Sequence, residues 1–237
     1  MLRTWRRSEK VALGLIMLVG ALLVTSALQQ LRSASPEAIY FVPGRSFRVA
    51  LTFETRWSSE GLAELLQILK TEDVSATFFL TGTWLKNHPA AAARILEQGH
   101  EIGNHTLNHA LLLHLSEKEI KRELDGFNEA ALEILNYRPR FFRPPQGLYN
   151  GVVLQAALQQ RCLTVLWSID SYDYLSRDPD EVSARIESRL HHGAIITFRV
   201  GAPVLPEALP KILAHLREQG YIPVTVSELL EGTDHPG

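Results

Sequence analysis

The sequence predicts an α/β fold: a mostly parallel sheet in a closed or distorted barrel of about seven units, with its helices outside. Short apolar runs alternate with helical patterns from residue 46 onward. A capped helix with a clear apolar stripe stands in the middle of that alternation. Polar residues follow five of the apolar runs, where barrels of this kind gather their sites. An open sheet is the alternative that pattern leaves standing.

Val49, Leu51 and Phe53 alternate as in a strand. Residues 60–71 read as a helix and 76–80 as a buried strand. Residues 89–98 are helical and stop near Gly99, and 100–105 form a short strand. Ser116 and Glu119 make a capping box that opens a long helix. Its apolar face is Ile120, Leu124, Phe127, Ala131 and Ile134. Residues 140–143 read as a strand, 152–160 as a helix and 163–167 as a strand. Asp178 and Pro179 start the next helix by the N-cap and first-position preferences. Residues 194–198 are a strand, 206–219 a helix and 221–226 the last strand.

The N-terminus has a different character. Residues 1–10 carry Arg3, Arg6, Arg7 and Lys10 against Glu9, and residues 11–28 then run without a charge. Eighteen helical residues span about 27 Å, close to the roughly 30 Å of a bilayer core. The run reads as a transmembrane anchor, or as a signal with small residues at Thr25, Ser26 and Ala27. The basic cluster puts the N-terminus inside and the following domain on the extracytoplasmic side of the cell membrane. Residues 29–45 are polar with two prolines and read as a linker; residues 46–231 form the folded domain and 232–237 a tail.

Composition narrows the function. The chain is 46% hydrophobic, enough for a large core, and its formal charge of −2 gives nucleic acid no basic footprint. Cys162, the lone cysteine, excludes an internal disulfide and sits in an apolar stretch as a core residue does.

The polar strand ends hold the candidate chemistry. They carry Glu54 and Thr55; then His105 and His109 with Asn104; then Arg143 ahead of two prolines; then Asp170 and Asp173; then Arg199. The four-residue spacing of His105 and His109 places two imidazoles on one metal if this turn is helical. Trp167 and Phe141 read as barrel core, whereas Trp57 and Trp84 suit a sugar groove.

Five segments carry a family resemblance: VALTF at 49–53, ATFF at 76–79, GHEIGNHT at 99–106, FFRPP at 141–145 and LWSIDSYD at 166–173. In this order and spacing the chain resembles the polysaccharide deacetylases, the carbohydrate esterases that share the NodB homology domain. The likeness covers residues 46–230. Trp57 with GTWLKNHP at 82–89 is similar to the sporulation-type subgroup, whose members also carry one N-terminal membrane segment.

The resemblance implies a distorted parallel barrel, a divalent metal such as zinc or cobalt, and removal of N-acetyl groups from peptidoglycan or chitin-like glycan. It makes His105 and His109 metal ligands and Arg143 the residue that orients the base. It makes Asp173, or Asp170, the carboxylate that tunes the general acid. The family's first motif has two aspartates, a base and a metal ligand; here those positions are Glu54 and Thr55. The family's general-acid histidine is Arg199, aligned on GAIITFR at 193–199. These three departures, Glu54, Thr55 and Arg199, imply reduced or absent turnover, and a catalytically inactive glycan-binding or envelope or spore scaffold role is the alternative.

Overall fold

The computed structural model describes residues 36–44, 47–55 and 58–232. The basic N-terminus, the apolar run at 11–28 and Trp57 lie outside those residues. Among the described residues no helix is long and apolar enough to cross a membrane.

The elements follow the alternation expected. β1 is Arg48–Glu54, α1 Leu62–Thr71, β2 Thr77–Leu80, α2 Gly82–Asn87, α3 Pro89–Glu97 and β3 Glu101–Asn104. Then come α4 Glu117–Leu135, β4 Phe141–Phe142, α5 Gly151–Gln159, β5 Leu163–Thr164 and β6 Ile169–Asp170. The chain continues with α6 Pro179–Glu187, β7 Ile195–Arg199, α7 Leu205–Glu218, β8 Ile222–Val224 and α8 Val226–Glu231.

All strand pairings are parallel, in the order β5-β4-β3-β2-β1-β7-β6, with β8 also pairing β1. The sheet is therefore curled and open, since β5 and β6 do not pair with each other. The run expected as a strand over 163–167 holds only the two-residue β5, and a further short strand, β6, follows it. The chain leaves β5 after Thr164 and enters β6 at Ile169, so Trp167 falls in the turn between them.

Part of the stretch read as linker fills this seam. Ile39 N–H donates to Thr164 O, Leu166 N–H donates to Ile39 O, and Val42 N–H donates to Gly193 O. Gly193, at φ 71°, is required here, because a Cβ on it would stand 1.8 Å from Val42 O. Residues 37–42 thus belong to the body of the domain rather than to a linker, and this apolar run inside the stretch read as polar supplies Ile39 and Val42 to the core.

Helix starts obey local chemistry. The Ser116–Glu119 capping box is formed in both directions, and Asp178 Oδ1 accepts from Asp180 N–H at the start of α6. The apolar faces of α1, α3, α4 and α7 bury Leu65, Ile95, Phe127 and Leu213 against Phe53, Phe78 and Phe198 of the sheet. Burial of this kind is worth roughly 25 cal/mol per Å² of apolar surface. Trp84 belongs to that core at 1% exposure and donates Nε1–H to Ser58 O. It lines no groove, contrary to the sequence expectation, because α2 turns its ring inward.

Candidate active site

Parallel register builds the site. In β1 and β7 residues two apart share one face, so Thr52 and Glu54 point the same way, as do Thr197 and Arg199. The strands pair Thr52 with Thr197 and Glu54 with Arg199. Adjacent strand ends therefore deliver a carboxylate and a guanidinium to the same spot.

Their contact is direct: Arg199 Nη1 lies 2.8 Å from Glu54 Oε2. The second guanidinium comes from Arg143, just past β4, whose Nη1 lies 3.3 Å from Glu54 Oε1. Arg143 is fully buried and exhausts its donors inward. Nε–H donates to Val165 O at 3.1 Å, Nη2–H to Leu166 O at 2.8 Å, and Nη1–H to Thr52 Oγ1 at 2.9 Å and Thr197 Oγ1 at 3.0 Å. Its guanidinium also lies 4.1 Å from the Phe79 ring centroid. Burial pushes the Glu54 carboxyl up, but His105, Arg199 and Arg143 outweigh it and hold the group below the usual carboxylate range.

The histidines meet without a helix. Residues 105–109 form an irregular turn in which Thr106 and His109 both have positive φ, at 68° and 58°. The helical turn that the spacing suggested is absent, yet the two rings still come within 5.0 Å, edge to face. His105 is buried, and its Nδ1–H donates to Arg143 O at 2.7 Å. A carbonyl can only accept, so the proton sits on Nδ1 and Nε2 carries the lone pair. That Nε2 has no hydrogen-bond partner among the described residues and stands 3.5 Å from Glu54 Oε2.

Asp173 is buried behind Arg199. Its Oδ2 accepts from the Arg199 backbone N–H at 2.9 Å. It thus holds the strand end rather than the guanidinium. Burial raises its carboxyl to about 6. Asp170 is closer to solvent and accepts from Tyr172 N–H.

Of these groups Glu54, Asp170 and Arg199 line a cleft of about 510 Å³, together with Gln146, Trp167 and Tyr174. Tyr174 sets its ring 5.1 Å from the Arg199 guanidinium. Trp167, expected as core, faces this cleft as well as the interior. Gly147 makes room for it, since a Cβ there would stand 3.0 Å from the indole. Thr52 and Thr197 were missed in sequence, although the alternation Thr-x-Glu and Thr-x-Arg marks them as facing the same way as the candidate residues.

Opposed titrations make acid behaviour a test of this arrangement. His105 and His100 are both pushed down to about 4 by burial. Folded pKa values below unfolded ones mean stability is lost as pH falls from about 6.5 toward 4. Asp173 has the opposite sign: raised to about 6, it gains stability as pH falls through the same interval. The melting temperature should therefore fall between pH 6.5 and 4.5. Asp173→Asn should steepen that fall, because the opposing group is gone. Parallel profiles for parent and variant would count against the assignment.

A pair of imidazoles, a buried carboxylate and two arginines thus gather at the C-terminal edge of a curled parallel sheet. The comparisons then fix the family. The polysaccharide deacetylase family model matches residues 42–163. Peptidoglycan-N-acetylglucosamine deacetylase of Bacillus cereus is 33% identical over 195 residues, which are 80% of this chain and 91% of that protein. Protein YlxY of Bacillus subtilis is 34% identical over 86% of this chain, and the chain spans 63% of its length. The crystal structure of BA3943 of Bacillus anthracis, described as a CE4 family pseudoenzyme, has a TM-score of 0.80 at 34% identity, covering 84% of this chain and 71% of that one. A BA3943 mutant described as having restored enzymatic activity matches with the same TM-score. The chain belongs to the polysaccharide deacetylase family.

The family's divalent metal does not fit the donors present here. Catalytic zinc takes three protein ligands and a water. This chain offers two imidazoles and Thr55, a neutral hydroxyl whose Oγ1 is buried without a hydrogen-bond partner among the described residues. The nearest carboxylate, Glu54, already faces two guanidinium groups. Among the described residues no three His, Cys, Asp or Glu side chains converge to hold a metal.

Proposed function

We propose that this chain is a membrane-anchored, extracytoplasmic member of the family that binds N-acetylated cell-wall glycan without deacetylating it. One observation carries the reading: the Arg199–Glu54 ion pair at 2.8 Å. It ties up the carboxylate at the position of the family's base. It also puts at the general-acid position a group that stays protonated near neutral pH and so cannot pass a proton back and forth. Loss of a general acid typically costs about 10²–10⁴-fold in rate.

The cleft supports glycan as the ligand. It combines Trp167 and Tyr174, whose rings suit the apolar faces of sugars, with Gln146 and Asp170 for hydroxyl and amide groups. Its volume falls within the roughly 300–1,000 Å³ range of ligand sites. Relatives named as deacetylases of N-acetylglucosamine and of N-acetylmuramic acid in peptidoglycan point to the same polymer class. The retained lone pair on His105 Nε2 favours a second reading, hydrolysis at a reduced rate.

The test is to measure glycan binding and acetate release on the same preparation, with acetylated chitooligosaccharides and peptidoglycan. Binding that survives His105→Ala with His109→Ala, and no acetate release with zinc or cobalt supplied, is the expected result. Release of acetate would establish the second reading. Loss of binding in the double variant would sink the first.

A further inference from the structure

We infer that the Arg199 guanidinium is a tethered cation that takes the metal's place beside Glu54 and closes this site to divalent ions. The inference goes beyond glycan binding, because it concerns which cation fills the site and is read with no glycan present.

Geometry comes first. Glu54 Oε2 is the one carboxylate oxygen that faces His105 Nε2, at 3.5 Å, so it is the oxygen a cation bound at that imidazole would share. Arg199 Nη1 already holds it at 2.8 Å. The guanidinium is not there by a chance rotamer. The β1–β7 register pairs the two residues, Asp173 Oδ2 fixes the Arg199 backbone, and Thr197 Oγ1 accepts from Nη1 at 3.4 Å. Tyr174 flanks the guanidinium on the cleft side.

Charge comes second. One carboxylate stands between two guanidinium groups, and Arg143 is held in place by its hydrogen bonds to Val165 O and Leu166 O. A divalent ion entering here would meet two fixed guanidinium groups, and Glu54 is the one carboxylate in contact with both of them. Like charges forced together at short range in a partly buried site are strongly unfavourable. The neighbouring Thr55 supplies no second negative charge to offset them. Neutralising Arg199 leaves Glu54 paired with Arg143 alone and frees Oε2 to join the His105 lone pair. Arg199 thus adds a second obstacle to a metal here, beside the neutral Thr55.

Zinc titration of the purified full chain, read by calorimetry and by thermal shift, tests this. Arg199→Gln should bind zinc on the order of 10–100-fold more tightly than the parent, and its melting temperature should rise with added zinc. Arg199→Lys keeps the charge and should stay with the parent. Adding His105→Ala to Arg199→Gln should cancel the gain. An Arg199→Gln protein that melts cooperatively but binds zinc no better than the parent would overturn the inference. So would zinc binding by the parent at a Kd of about 1 μM or below, whatever the variants do.

Discussion

A triple variant, Glu54→Asp, Thr55→Asp and Arg199→His, is expected to release acetate from acetylated chitooligosaccharides or peptidoglycan about 10²–10⁴-fold faster than the parent when zinc or cobalt is supplied. Each change answers a specific feature of the site. Thr55→Asp adds the missing negative charge next to His105 and His109. Arg199→His removes the guanidinium from Glu54 Oε2 and restores a group that titrates near neutral pH. Glu54→Asp shortens the carboxylate by one methylene, so it does not compete for the ion that Thr55→Asp invites. The rest of the machinery is in place, because Arg143 is locked and His105 already presents its lone pair. The BA3943 mutant described as having restored enzymatic activity gives a structural precedent at 34% identity. Acetate release per mole of enzyme is the measurement. A triple variant that folds and takes up zinc yet releases no more acetate than the parent would show that the altered motifs are not what silences the site.

Arg143→Met is expected to cost about 3–5 kcal/mol of stability, the range for leaving one partner of a buried ion pair alone. The side chain is fully buried and bridges β1, β7 and the turn after β5 through Thr52, Thr197, Val165 and Leu166. Methionine fills part of the volume but satisfies none of these acceptors, and an unpaired buried acceptor carries its own desolvation cost. For a domain of this size each kcal/mol shifts the melting temperature by about 2–4 °C, so a fall of roughly 10 °C is expected in a thermal melt. A loss below about 1 kcal/mol would mean that Arg143 matters to the chemistry alone and that its hydrogen bonds are replaced by water.

Much of this molecule is legible in one dimension. Strand β1 shows as Val49, Leu51 and Phe53 in alternation, and α4 shows through its capping box and apolar stripe. These signals are local: period two marks a half-facing strand and period 3.6 a helix, whatever the rest of the chain does. The candidate residues were legible for a related reason, since parallel α/β folds collect polar groups at strand ends. The two-residue strand β6 was not legible, because so short a run carries no period of its own. Nor was the role of residues 37–42, an apolar run too short to show which edge it would cover, which hydrogen-bonds beside β5 at Thr164 and Leu166 and ahead of β7 at Gly193.

What the amino-acid order offered by itself is a set of polar groups at the strand ends: Glu54, Thr55, His105, His109, Arg143, Asp170, Asp173 and Arg199. It determined also that two of the family's reacting groups are absent. What only the tertiary structure decided is how those groups pair. Residues 145 positions apart in the chain, Glu54 and Arg199, become neighbours because β1 and β7 align in parallel register. Ion pairing depends on distance in space, and that distance is set by strand order, which no local pattern encodes.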